Sequence, residues 1–396
     1  MNRARLLYLD VPFEHESGGD KNRSRFLFHT LRENFDLDLV LVGAESASAG
    51  TAWTKFQPLA MFAPLPAPFP RPASTPSFAP ADREKFISLV RNKEYAAVFC
   101  RFTIGWELLG LLRKAAPETA VVVDVDMVSS RLVALMWNSN RSVKERWFLF
   151  EKWKLQRFER RLFREPWLFL FTNSTELASV RDGVAPHPSN GEFKLLPNIM
   201  PLAVEPVVAR QPVVLFFGTL DSSANVDGLQ FLIEDVLPQI ETDLKRHNAK
   251  IHIVGKNPPA MLETRLRAIG TDRVKVVGPV DSIESAIAES LFVLLPLRIA
   301  SGTRTRILEA AAVGRAVVTT TIGAEGLDLG DTVLLGDTAH NLADHTRRLL
   351  ANQNEADTIG RRLRERSSAL YAAGNVAADL VVKLERFFQR QKGGTQ

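Results

Sequence analysis

The densest chemistry in the chain lies in RIASGTRTRILE (298–309). It follows an apolar run, LFVLLP (291–296), and leads into a helical pattern that begins near Gly302. The first turn of a helix exposes backbone N–H groups without intrahelical partners, and the helix dipole makes that end an anion site. Gly302 lets a ligand approach the backbone closely, and Ser301 and Thr303 add hydroxyl donors. Arg298, Arg304 and Arg306 bring planar donor forks suited to phosphate. A diphosphate is the natural guest. Glu309, further along the same helix, offers a carboxylate that can accept two hydrogen bonds from the adjacent hydroxyls of a ribose. The plainer alternative is a glutamate that complements the dipole or pairs with an arginine along the helix.

Such a loop needs a strand before it and a helix after it, and the chain repeats that unit throughout. Strands are expected at 5–10, 37–43, 96–100, 120–126, 167–172 and 193–197, with helices near 21–34, 82–93, 105–115, 141–163 and 174–182. A second series has strands at 213–218, 250–255, 273–278, 291–296, 316–320 and 332–336. Its helices fall near 225–240, 259–269, 282–289, 303–313, 339–352 and 355–390. Runs this apolar suit strands buried on both faces. The reading is α/β: two Rossmann-like, doubly wound parallel-sheet lobes with an inter-lobe cleft. The Pro-rich stretch 63–80 reads as a surface loop, and the prolines of PNIMPLAVEPVVARQP (197–212) mark a linker. The expected domains are 1–200, a linker at 201–212, 213–372, and a terminal segment, 373–396, whose amphipathic helix is a candidate to pack back across the lobes.

The 396 residues exceed what one core usually holds, which also favours two domains. A single cysteine, Cys100, excludes an intrachain disulfide and any thiolate metal cluster. The net charge of +5 and a pI near 9.3 admit phosphorylated substrates or an anionic surface as partners. No apolar run is long enough for a transmembrane helix, and LLYL before Asp10 is too short for a signal peptide.

The segment PLRIASGTRTRILEAAAVGRAVVTTTIGAEGL (296–327) resembles the donor-binding segment of the glycosyl transferase group 1 family, the retaining family 4 glycosyltransferases of GT-B fold, and in particular bacterial members of polysaccharide biosynthesis. The resemblance implies that Glu309 holds the donor ribose. The family's first glutamate falls at Ser301, so the chain departs from the pattern there. FFGTLDSSANVDGLQFLIEDVLPQI (216–240) resembles the strand that ends at the donor phosphates, here at Gly218, with Thr219 and Asp221 where the family often has an arginine and a lysine. VGKNPP (254–259) resembles the loop after the next strand, with Gly255 and Lys256. VVGPVDSIESAI (276–287) resembles the loop whose backbone meets the nucleobase, at Val280. Together these extend the resemblance over residues 195–330.

On the acceptor side, ESGGDKNRSRF (16–26) places Gly18 and Gly19 in a turn, with a basic residue following at Arg23 or Arg25. Plain turn chemistry explains the glycines equally well. DVDMVSSR (124–131) follows an apolar strand, which puts Asp124 and Asp126 at the sheet edge where open α/β sheets bind ligands. They are candidates for contact with acceptor hydroxyls or the reacting centre; the alternative is helix capping by Asp126 or Ser129. RSVKERWFLFEKWKLQRFERRLF (141–163) is basic and aromatic at helical spacing. It reads as a core-facing helix with a solvated basic face, as a contact with an anionic membrane, or as a nucleic-acid contact.

The expected activity is a hexosyltransferase reaction from a nucleotide-diphosphate sugar to a saccharide or lipid-linked glycan hydroxyl, retaining and metal-independent, with Asp126 and Arg298 as catalytic candidates. No cofactor, metal or nucleic-acid partner is expected. The expected location is cytoplasmic, with peripheral contact at the inner face of the membrane. A non-catalytic GT-B scaffold and a GT-B epimerase or phosphorylase are the alternatives.

Overall fold

The computed structural model describes residues 3–11, 19–42, 53–56, 58–60, 77–101, 106–139, 147–184, 191–201, 211–269, 272–299 and 305–393. The chain divides into two compact units, one of Met1–Asn198 with Gly374–Gln396 and one of Ile199–Ala373.

In the first unit the apolar runs form strands, and the central ones, β1, β6, β7 and β8, are buried on both faces as their continuous hydrophobicity requires. They are β1 (Arg5–Asp10), β2 (Asp36–Val42), β3 (Trp53–Phe56), β6 (Ala97–Arg101), β7 (Ala120–Val125), β8 (Leu168–Phe171) and β9 (Glu192–Leu195). A small antiparallel pair, β4 (Pro58–Ala60) and β5 (Ser77–Phe78), lies apart. The main sheet has the order β3-β2-β1-β6-β7-β8-β9, and every pairing is parallel. The order reverses between β1 and β6, so the switch point of this sheet lies at their C-terminal ends. The second unit repeats the plan with β10 (Val213–Phe217), β11 (Lys250–Val254), β12 (Val274–Gly278), β13 (Phe292–Leu295), β14 (Val317–Thr319) and β15 (Leu334–Leu335). Its order is β12-β11-β10-β13-β14-β15, again parallel, with the switch between β10 and β13.

Several expected boundaries move. Residues 355–390 form two helices, Gln353–Tyr371 and Ala373–Gly393, because Ala372 leaves the helical region at φ −60°, ψ 133°. The second of these buries Val376, Leu380, Leu384 and Phe387 along one stripe; Phe388 meets Phe35 edge-on, and Arg390 pairs with Glu192. All of these residues belong to the first unit. The Pro-rich stretch ends in structure: β5 precedes the helix Pro80–Asn92, which Pro80 opens at a position where its missing N–H is no loss. The helix after β10 begins at Ser223 with Ser222 as its cap, earlier than Asn225. The helix Ser129–Ser139, absent from the expected ranges although the capping alternative at Asp126 or Ser129 pointed to one, precedes Trp147–Leu162; residues 141–146 lie outside the described residues. No described helix is long and apolar enough to cross a membrane.

Candidate active site

In the second unit three neighbouring strands end in glycine, and backbone hydrogen bonds lace their exits together. Gly218 N–H donates to the Val254 carbonyl (3.0 Å), Gly255 N–H to the Gly278 carbonyl (2.9 Å), and Leu220 N–H to the Lys256 carbonyl (3.0 Å). Two of these glycines are required by geometry. Gly255 has φ +152°, and a Cβ there would lie 1.8 Å from the Gly218 carbonyl oxygen. Gly218 has φ +149°, and its Cβ would fall 2.8 Å from Asn225 Nδ2 and 2.9 Å from Arg306 Nη1. The missing side chains thus let the strand exits and the Arg306 guanidinium pack together, and Nη1 anchors that guanidinium on the Phe217 carbonyl at 2.7 Å.

Arg306 sits on the helix Thr305–Val313. That helix buries Ile307, Leu308 and Ala310 to Val313, which leaves Arg306 and Glu309 three residues apart on the other face. Burial pushes the Glu309 carboxyl up to about 7; Arg306 pulls it down and Glu284 adds to the rise. Glu309 has no hydrogen-bond partner among the described residues, so its oxygens are available to an incoming donor.

The structure assigns Arg298 more work than the sequence announced. It follows β13 and makes a two-pronged contact with Asp227, Nε–Oδ2 at 3.1 Å and Nη2–Oδ1 at 2.8 Å. Its guanidinium also lies over the Phe231 ring at 4.5 Å. Asp227 and Phe231 are four residues apart on the helix Ser223–Phe231, so that helix seats the arginine and offsets its charge. Lys256 is exposed directly after Gly255, and Val280 is exposed just past β12. Ser301, Gly302, Thr303 and Arg304 lie outside the described residues. Sequence reasoning passed over Asp227 as the partner of Arg298 and Glu284 as the neighbour of Glu309, since each pairing joins different elements.

At the switch point of the first sheet the expected acceptor-side residues converge, but most of them are occupied by one another. Arg23, on the helix Gly19–Asn34, is 2% exposed. Its Nε donates to both oxygens of Asp124 (2.9 and 3.1 Å), and its Nη groups reach Asn198 Oδ1 (2.9 Å) and the carbonyls of Leu196 and Pro197 (3.1 Å each). Arg101, at the end of β6, holds the other side of Asp124 at 2.5 Å and lies 3.8 Å from Asp10, which also accepts from Tyr8. Burial raises the Asp10 carboxyl above its ordinary range. Burial also pushes Asp124 up, but Arg23 and Arg101 outweigh it and hold that carboxyl below the usual range. Arg23 and Asp124 are thus a buried ion pair that ties the first helix to the strand exit at 196–198. Gly19 opens that helix, and Gly18 lies outside the described residues.

Asp126 differs from its neighbours. Its side chain is 30% exposed, and its only described side-chain contact is Arg101 Nη2 at 3.5 Å. It does not cap the helix that follows. Glu176 Oε2 accepts from Val128 N–H (3.2 Å) and Glu159 Oε1 from Ser130 N–H (3.0 Å), while Thr172 Oγ1 donates to the Asp126 carbonyl (2.9 Å). The loop is fixed by residues from two later helices and a strand exit, and the Asp126 carboxylate is left part-exposed. Among the described residues no three His, Cys, Asp or Glu side chains converge as a metal-ligand set.

Residues 211–352 match the family model described as glycosyl transferases group 1. No curated protein matches the sequence. Among solved structures, sucrose-phosphate synthase from Thermosynechococcus elongatus aligns over 98% of this chain and 100% of its own, with 18% identity and a TM-score of 0.69. The Anabaena protein HepE, solved with UDP and glucose, aligns over 96% and 99% with 14% identity and a TM-score of 0.64. TarM aligns over 97% and 98% with 9% identity and a TM-score of 0.68. At these identities the likeness is one of fold, the two-sheet α/β plan of GT-B proteins.

Proposed function

We propose, from the match of residues 211–352 to the group 1 glycosyltransferase family model, that the chain moves a sugar from a nucleoside-diphosphate sugar to a hydroxyl of a saccharide or lipid-linked glycan, with retention and without a metal. The observation that carries this reading is the edge of the second sheet. Glycine exits let neighbouring strand ends and Arg306 pack closely at the switch point, Lys256 and Arg298 add cations on the loops that follow β11 and β13, and Glu309 stands ready for the ribose diol. In the reaction negative charge grows on the leaving diphosphate. Preorganised cations and N–H groups lower the barrier by stabilising that charge more than the ground state. The N–H groups after Ser301 and the Arg304 guanidinium belong to the same proposed cradle. Asp126 is the carboxylate proposed to meet an acceptor hydroxyl. A lipid-linked acceptor would place the enzyme in the cytoplasm, at the inner face of a membrane.

The test is thermal stabilisation of the purified chain by UDP, GDP and ADP in the presence of a chelator. UDP is the first probe because the structural neighbour HepE was solved with it. A ligand at a hundred times its Kd stabilises the native state by about 2.7 kcal/mol. The expected result is a shift with one base only, lost in Glu309→Ala. No shift with any nucleotide would overturn the donor site and favour a scaffold.

A further inference from the structure

The helix Trp147–Leu162 sorts its residues in an unusual way. Its two acids face inward: Glu151 is buried against Lys154 at 2.6 Å, and Glu159 is buried beneath Ser130. Leu155, Phe158 and Leu162 are buried too. Outward face Leu149 (45% exposed), Phe150 (47%) and Trp153 (45%), followed by exposed Arg157, Arg160, Arg161 and, in the turn after the helix, Arg164. At 100° per residue these seven positions fall within about 120° of arc. The arc carries no acid, and none of the four arginines has an ion-pair partner among the described residues. Phe150 and Trp153 stack at 5.8 Å, which makes the apolar end one continuous plate.

A solvated basic face accounts for the arginines but not for three large apolar side chains held in water at the head of the same stripe. A nucleic-acid contact accounts for the charge but would not favour a leucine beside the aromatics. An anionic bilayer surface meets both halves: the apolar end enters the acyl boundary while the guanidinium groups stay at the level of lipid phosphates. We propose that this ridge docks the protein peripherally on membranes rich in anionic phospholipid. The proposal sharpens the membrane location given above, but it stands on the helix alone and is independent of the donor assignment.

The experiment is co-sedimentation of the full chain with vesicles of phosphatidylcholine, alone or mixed with phosphatidylglycerol. Two variants test the two halves: Leu149→Ser/Phe150→Ser/Trp153→Ser, and Arg157→Gln/Arg160→Gln/Arg161→Gln/Arg164→Gln. All seven positions are exposed, so both variants should keep the parent's melting temperature, which is checked first. Binding is expected only with phosphatidylglycerol present, to weaken as salt rises, and to drop about a hundredfold in the arginine variant. The apolar variant should also lose it. Quenching of tryptophan emission by brominated lipid should fall in Trp153→Phe while sedimentation persists. Parent-level binding by both variants, no binding by the parent, or retention only by an RNA oligomer would overturn the proposal. A failed nucleotide shift with intact vesicle binding would overturn the donor site and leave the ridge standing.

Discussion

At the switch point of the first sheet, between β1 and β6, the strand exits are filled with charge: Asp10, Arg101 and Asp124 interlock with Arg23 and Tyr8, all buried. At the switch point of the second sheet, between β10 and β13, Gly218 and Gly255 lack side chains so that backbone, Asn225 and Arg306 can close in on the β10 and β11 exits. The same topology carries a buried charge network at one edge and close glycine-backbone packing with an arginine at the other. A buried network fixes geometry and leaves one part-exposed group, Asp126, whereas the glycine edge is built of backbone and Arg306, which suits a ligand that brings its own negative charge. The first edge should therefore fail by unfolding when altered, and the second by loss of nucleotide.

The largest effect should come from Arg101→Met. It leaves buried Asp10 without a cation and Asp124 with Arg23 alone, and removing one partner of a buried pair costs about 3–5 kcal/mol, readable by urea denaturation. Gly255→Ala should come next, because the new methyl overlaps the Gly218 carbonyl and the residue sits at positive φ; a loss of about 2–3 kcal/mol together with lost UDP binding is expected. Glu309→Gln should leave stability nearly unchanged at about pH 5, raise it above about pH 7 where it removes a buried charge, and weaken UDP by about 10–100-fold, the range for a hydrogen bond to a charged group, as calorimetry would show. That carboxyl, raised to about 7, accepts from a ribose best when ionised. UDP affinity should then rise with pH through about 7, and Glu309→Gln should flatten the profile. The sign reverses for stability. A carboxylate whose folded pKa lies above its unfolded value holds an extra proton in the native state, so its contribution falls as pH rises from about 4.5 to 7. The smallest effect should be that of Arg298→Ala, less than about tenfold on UDP, because Asp227 already offsets its charge. If Arg298→Ala outweighed Glu309→Gln, the cradle would centre on β13 and not on the β10 and β11 exits.

The strands were legible because a parallel strand covered on both faces must be apolar along its whole length. Runs such as VVLFF and AVVVDV have no other economical fate. The extent of the helix Ser129–Ser139 was not, since the amides at its start are held by Glu159 and Glu176, far along the chain, and not by the local capping candidates Asp126 and Ser129. The site was half legible. Glu309 and the glycines speak through local motifs, and the structure puts Gly218 and Gly255 in contact. What Arg23, Asp124 and Arg298 do is set by partners 101 and 71 residues away, and no spacing rule reaches that far.

The terminal helix Ala373–Gly393 lays its apolar stripe into the first unit, with Phe388 on Phe35 and Arg390 on Glu192. The second unit is one continuous stretch of chain, while the first is made of two pieces separated by all of it. On the ribosome the first unit to begin must therefore be the last to finish: its core waits, partly uncovered, until residue 388 has emerged. Domains usually mature in the order of synthesis, and this chain inverts that order. Chaperone demand during translation should accordingly be concentrated on the first 198 residues.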